Sequence, residues 1–328
     1  MILEQAFSSL PEILTGYGFP AQEYEGGIVG AYSLAVLQEL NGRNVNNPIA
    51  AMQLEKPFRD RRKPILAKDD KTKRYLRCDL HLSGLPVRIG SSALSHYGWR
   101  HSNWVEAKFF RAFTKDGKPK KSTNQAVNTA HLLADLVRLL TLIPVSKGRK
   151  DGLSYVGRYL LHVYLTQVED HLSVARRQDG QDVDRPWLGT ITTPGRWELE
   201  GESVGYEPDS VLSKLGRELR ELSFDLTVTN FVHEPIVDAS PSRQFMCYLT
   251  RIDAFTIRYN DIWWSLGADR EIVESRDGAA DEIAGFVGRH IGLTTERDTQ
   301  KPTPEEEGAA DTVESDDDAQ DAAEADNG

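Results

Sequence analysis

In "NWVEAKFF", residues 103–110, two charged side chains interrupt a run of Trp, Val, Ala and Phe. Aromatic and β-branched residues at this density mark a strand inside a core. Strand alternation puts Val105, Ala107 and Phe109 on one face, and Glu106 and Lys108 together on the other. Burying a carboxylate and an ammonium is costly unless they are paired or hold a metal. The same acid-x-Lys or acid-acid-Lys spacing occurs at Asp69-Asp70-Lys71 and Asp116-Gly117-Lys118, but in hydrophilic surroundings. Only Glu106-Ala107-Lys108 carries the cost of burial, so it is the triplet that calls for an explanation.

Working outward, "RYLRCDLHLSG" (74–84) alternates cleanly. Leu76, Cys78, Leu80 and Leu82 take one side, and Arg77, Asp79 and His81 the other. If this strand pairs with 103–110, Asp79 and Glu106 converge. Neighbouring carboxylates repel unless a cation lies between them. Mg²⁺, or Mn²⁺ in its place, suits such a site, because it takes hard oxygen ligands and keeps several waters. The carbonyl of Ala107 is a further candidate ligand. The alternative is a buried Glu–Lys ion pair with no chemistry.

The flanking segments predict an α/β fold. "GGIVGAYSLAVLQELN" (26–41) reads as a helix, and "MILEQAFSSLPEIL" before it as a shorter amphipathic one. Residues 48–58 read as a strand, and 123–143 as a long amphipathic helix stopped by Pro144. "VGRYLLHVYLTQV" (156–168) reads as a strongly apolar strand. Residues 171–206, rich in Asp, Arg, Gly and Pro, read as loop. A helix is predicted over 209–222, strands over 223–232 and 243–259, and a last helix over 270–290. Helix, strand, strand, strand, helix, strand implies a central mixed β-sheet flanked by helices. The expected organisation is a core over 1–170, a C-terminal α/β extension over 171–295, and a tail over 296–328.

The tail explains the net charge. Residues 302–328 hold eleven acidic residues and no Lys or Arg, which accounts for the whole net charge of −11. Residues 1–301 therefore sum to about zero, and the body can carry a basic face. Ten basic residues fall between 56 and 77, Arg61, Arg62, Lys63, Lys73 and Arg74 among them, and Arg111 opens a second cluster. Both flank the proposed site in sequence and are candidates for phosphate contact. A solvated charged loop is the alternative. No run approaches the roughly 20 apolar residues of a membrane span. The N-terminus lacks a secretory pattern. The two cysteines, Cys78 and Cys247, form no disulfide or zinc pattern, as expected of a cytoplasmic protein. Trp263-Trp264 and His162 read as core residues. The spacings of His81, His96, His101 and His131 fit no compact metal motif, although His81 shares the face of Asp79.

"KRYLRCDLHLSG" followed by "WVEAKFF" resembles the PD-(D/E)XK nuclease superfamily, the restriction-endonuclease-like fold. Its pattern is an Asp on one strand, Glu-x-Lys on the next, and often a Glu on a preceding helix. Asp79, Glu106 and Lys108 match residue by residue. Glu25 is the candidate for the helix acid, and Glu39 is its rival at the other end of the helix. The likeness covers roughly residues 20–170, and Cys78 stands where the family's nominal Pro would be. The resemblance implies Mg²⁺-dependent phosphodiester hydrolysis, with Asp79 and Glu106 holding the metal and Lys108 orienting the attacking water. It also implies that polar residues at the start of the next helix, Asn124, Gln125 and Asn128, can reach the site or a phosphate. Simple N-terminal helix polarity is the other reading of these three. A DNA endonuclease of restriction or phage defence is the expectation, with a homodimer if both strands are cut. The alternative is a non-catalytic nucleic-acid-binding or regulatory subunit on the same scaffold.

Overall fold

The computed structural model describes residues 2–16, 25–57, 77–83, 88–89, 92–93, 102–110, 124–143, 156–178, 180–234, 245–269 and 271–291. Residues 103–110 lie on β5 (Ser102–Phe110), an interior strand of its sheet. The strands before it are β1 (Met52–Pro57), β2 (Arg77–Ser83), β3 (Arg88–Ile89) and β4 (Ser92–Ala93). Those after it are β6 (Val156–Tyr164), β7 (Ala175–Gln178), β8 (Gln181–Asp184) and β9 (Gly195–Ser203). The last four are β10 (Leu222–His233), β11 (Met246–Tyr259), β12 (Ile262–Leu266) and β13 (Ile272–Glu274). The helices are α1 (Ile2–Gly16), α2 (Glu25–Gly42), α3 (Gln125–Leu140), α4 (Val168–His171), α5 (Pro186–Thr192), α6 (Asp209–Leu215) and α7 (Ala279–His290).

The architecture is α/β, as expected, with one nine-stranded mixed sheet among the described residues. Its order is β1-β2-β5-β6-β11-β10-β9, with β12 and then β13 added along the later half of β11. β5 and β6 are parallel, and α3 makes the crossover between them. Every other pairing in this sheet is antiparallel. Parallel neighbours need such a connection, because a tight turn cannot reverse the chain twice. Met1–Gly292 form one compact unit, and β11 pairs directly with β6, so the C-terminal segment extends the same sheet. The second unit, Leu293–Gly328, holds the acidic tail and lies outside the described residues.

Both faces of the sheet are covered. Ile2, Leu3, Phe7, Leu10 and Leu14 of α1 recur at helical spacing and join Ile28, Tyr32, Val36 and Leu40 of α2 over one face. Val105, Ala107, Leu161 and Val163 meet them from the sheet. On the other face Leu132, Leu133, Leu136 and Leu140 of α3 pack on Phe110, Leu160 and Tyr164. With helices on both sides, all nine residues of β6 are buried, which is why its sequence is largely apolar rather than alternating. Asn103 pairs with Gly157 across β5 and β6, and a Cβ at position 157 would collide with the Asn103 side chain.

Arg158 is an exception in that strand. It is fully buried, and its guanidinium donates to Leu139 O at 2.9 Å and Leu142 O at 3.0 Å. Leu139 lies in the last turn of α3 and Leu142 just beyond its end, where carbonyls lack the regular helical acceptor geometry. The buried cation satisfies them and complements the helix dipole, so the last turn of the crossover helix is tied to the strand that follows it.

Several segments differ from the sequence reading. Residues 171–206 are not a loop but hold the β7–β8 hairpin, α5 and β9. Arg176, Arg185 and Glu202 of this segment are buried and form ion pairs inside the protein. Arg176 pairs with Glu202 at 2.5 Å, Arg185 with Glu207 at 2.9 Å, and the Trp187 indole donates to Glu207 at 2.9 Å. The predicted strand over 48–58 begins as a 3₁₀ turn at Pro48–Ala51, and the predicted helix over 270–290 begins as β13. Trp264 sits on β12, fully buried and edge-to-face with Phe255 at 4.8 Å, as a core residue. His162 is also core, stacked on Tyr248 at 4.9 Å. Among the described residues, no helix is long and apolar enough to cross a membrane.

Candidate active site

The site forms where the pairing of β2 with β5 stops. The ladder runs from Ser83 opposite Ser102 to Leu80 opposite Val105. Two residues beyond Val105, the Ala107 N–H donates to the Asp79 carboxylate, Oδ2, at 2.6 Å. Ala107 therefore enters the site through its amide. Glu106 and Lys108 project to the face covered by α3, and their apolar neighbours Val105 and Ala107 pack on the opposite face, as alternation predicted.

Lys108 Nζ lies 2.9 Å from Glu25 Oε2 at the start of α2 and 3.5 Å from Asp135 Oδ2 of α3. Glu25 is thus the helix acid that reaches the site. Its rival Glu39 pairs instead with Arg43 one turn along the same helix. Glu106 is 2% exposed, and its Oε1 is 3.6 Å from Arg138 Nη2 with no hydrogen-bond partner. Arg138 also donates to Asp135 Oδ1 at 2.9 Å. The cluster therefore draws residues 25, 79, 106, 108, 135 and 138 from two helices and two strands, with four carboxylates against two cations.

Its electrostatics follow from burial first and from these neighbouring charges second. Burial pushes the Asp79 carboxyl up to about 6; the Ala107 N–H opposes this, Asp135 adds to it, and Lys108 and Arg138 pull it back. Burial raises Glu106 well above the usual carboxylate range; Arg138 opposes this, while Asp79 and Asp135 reinforce it. Burial disfavours the Arg138 guanidinium, yet Glu106, Asp135 and Asp79 outweigh that and raise its pKa. Carboxylates that resist ionisation beside one another favour any added positive charge.

No family model, curated protein or solved structure matches this chain.

Among the described residues, no three His, Cys, Asp or Glu side chains are grouped as a metal cage. The cations of the chain are interspersed instead. Lys108 separates Glu25 from Asp135, Arg138 separates Asp135 from Glu106, and Asp79 Oδ2 is turned to an amide. The donor types still fit a hard divalent cation. They are carboxylate oxygens, they outnumber the local positive charges, and two of them, Glu106 Oε1 and Asp135 Oδ2, are buried without a hydrogen-bond partner.

Sequence reasoning missed Asp135 and Arg138. The signal was present in "AHLLADLVRLL", where two charges break an apolar helical run just as Glu106 and Lys108 break a strand. Other candidates fall elsewhere. The Asn124 side chain accepts from Val127 N at 3.3 Å as the N-cap of α3. Gln125 donates to Glu169 O at 2.7 Å, and Asn128 to His171 O at 3.0 Å. All three groups serve the start of α3 and the neighbouring α4, which supports the helix-polarity reading. His81 is 4.6 Å from the Trp104 ring and 2.8 Å from Ser102 Oγ, and burial followed by Lys56 lowers its pKa to about 3. Arg61, Arg62, Lys63, Lys73, Arg74 and Arg111 lie outside the described residues.

Proposed function

We propose that this chain is a divalent-cation-dependent nuclease of the PD-(D/E)XK type that hydrolyses phosphodiester bonds in DNA, with restriction or phage defence as its setting. One observation carries the reading: Glu25, Asp79, Glu106 and Lys108, spread over more than eighty residues of chain, meet at one end of the β2–β5 pairing. The succession α2, β1, β2, β5, α3, β6, with its single parallel pair, supports it as well.

In this reading Asp79 and Glu106 would hold Mg²⁺ or Mn²⁺. The cation supplies Lewis acidity toward the phosphate and the attacking water. Lys108 orients that water and offsets negative charge as it develops on the phosphate. Glu25 holds the Lys108 ammonium in place at 2.9 Å. Burial keeps bulk water from screening these charges.

The test is cleavage of plasmid and linear DNA by the purified chain with Mg²⁺ or Mn²⁺. Cleavage is expected to vanish with chelator and in Asp79→Ala, Glu106→Ala and Lys108→Ala. Cleavage persisting in all three variants refutes the assignment.

The interspersed cations favour a second reading, a non-catalytic nucleic-acid-binding or regulatory subunit, because Lys108 and Arg138 already pair with the carboxylates. It predicts DNA binding without cleavage and without dependence on divalent ions.

A further inference from the structure

From the side chains around Glu106, we infer that Arg138 is a resident counter-cation that occupies the charge position a divalent ion would take, so that Arg138 sets how tightly the site binds that ion. This rests on the reading above that the site takes a divalent cation.

Three observations lead to it. Arg138 bridges the two buried carboxylates of this face, at 2.9 Å from Asp135 Oδ1 and 3.6 Å from Glu106 Oε1. The longer contact leaves Glu106 Oε1 without a hydrogen bond although Glu106 is only 2% exposed. Asp135 Oδ2 is likewise buried without a hydrogen bond, 3.5 Å from Lys108 Nζ. The guanidinium thus balances charge here without completing the hydrogen bonding of either acid. A purely structural ion pair would be expected to satisfy its acceptors, since an unsatisfied buried carboxylate oxygen is expensive.

Arg138 sits in the last turn of α3, a helix held by Arg158 at its C-terminal end and by the leucines beneath it. The helix backbone is therefore fixed, and the guanidinium is the adjustable part. Its side chain is 19% exposed, whereas Glu106 is 2% and Asp135 5% exposed. It can swing outward while the acids stay. Once it has moved, Asp135 becomes a third carboxylate beside Asp79 and Glu106. Divalent-ion binding and Arg138 release are then two halves of one exchange.

The test is calorimetric titration of the full chain with MnCl₂ and MgCl₂, without nucleic acid, on wild type, Arg138→Met and Arg138→Gln. The Gln variant retains a donor for Asp135 and serves if the Met variant does not fold. A folded Arg138 variant is expected to bind Mn²⁺ about tenfold or more tightly than wild type, because one unit charge a few ångströms away is removed. Its melting temperature should also rise more on Mn²⁺ addition. Adding Asp135→Asn to that variant should cancel the gain. Equal or weaker binding by a folded Arg138 variant overturns this inference and leaves the nuclease reading intact. Failure of wild type and variants alike to bind either ion overturns both.

Discussion

Asp79→Asn should stabilise the protein, in chelator, at pH 8 and hardly at all at pH 4. The carboxyl is carried from its ordinary 3.8 to about 6 on folding, chiefly by burial. A raised carboxyl means that the folded state binds a proton which the unfolded state has lost. Stability from this group is therefore full below pH 3.8 and drains away as pH climbs to about 6. A shift of about two units at about 1.4 kcal/mol each puts the loss near 3 kcal/mol as an upper figure. Asn keeps an oxygen to accept from the Ala107 N–H and has no proton to lose. The variant should gain up to about 3 kcal/mol at pH 8, seen as roughly 5 °C in melting temperature for a chain of this size. Thermal melts of both proteins across pH 4–8 read this directly. A variant no more stable than wild type at pH 8, or a gap that ignores pH, would refute the reasoning.

Glu25→Gln should lower divalent-dependent cleavage about 100-fold by loosening Lys108, whereas Glu39→Gln, whose side chain pairs with Arg43, should leave it unchanged; equal rates for the two variants would contradict the placement of the helix acid. Arg158→Met should cost on the order of 3 kcal/mol in urea denaturation, because it removes two buried, charge-assisted hydrogen bonds, to Leu139 O and Leu142 O. Wild-type stability in that variant would remove the anchoring role.

What the sequence revealed depended on how local the signal was. β5 and β2 were legible because each alternates or interrupts its pattern within a few residues, and Glu106, Lys108 and Asp79 stand out against that pattern. The parallel crossover was legible from a long amphipathic helix set between two apolar runs. Glu25 against Glu39 could not be decided in the sequence. Both lie on α2, and only the position of the helix start over β5 selects one. Asp135 and Arg138 went unread because a charge in a helix is ordinarily assigned to its solvent side. The 171–206 segment failed for a related reason. Its Arg and Glu residues looked like surface polarity, but Arg176, Arg185, Glu202 and Glu207 find one another inside the fold across 22 or 26 residues of chain.

The neighbour of β6 in the sheet is β11, whose pairing residues, 246–252, are made some eighty positions after β6 itself. Arg251 of that same strand reaches back to Glu4 in the first helix at 3.1 Å. As the chain leaves the ribosome, β6, the neighbour of the strand that carries Glu106 and Lys108, must wait with an apolar edge unpaired until nearly the whole body has emerged. A nascent chain cut short before β11 lacks the strand that covers the open edge of β6 and the residue that ties this edge to the first helix.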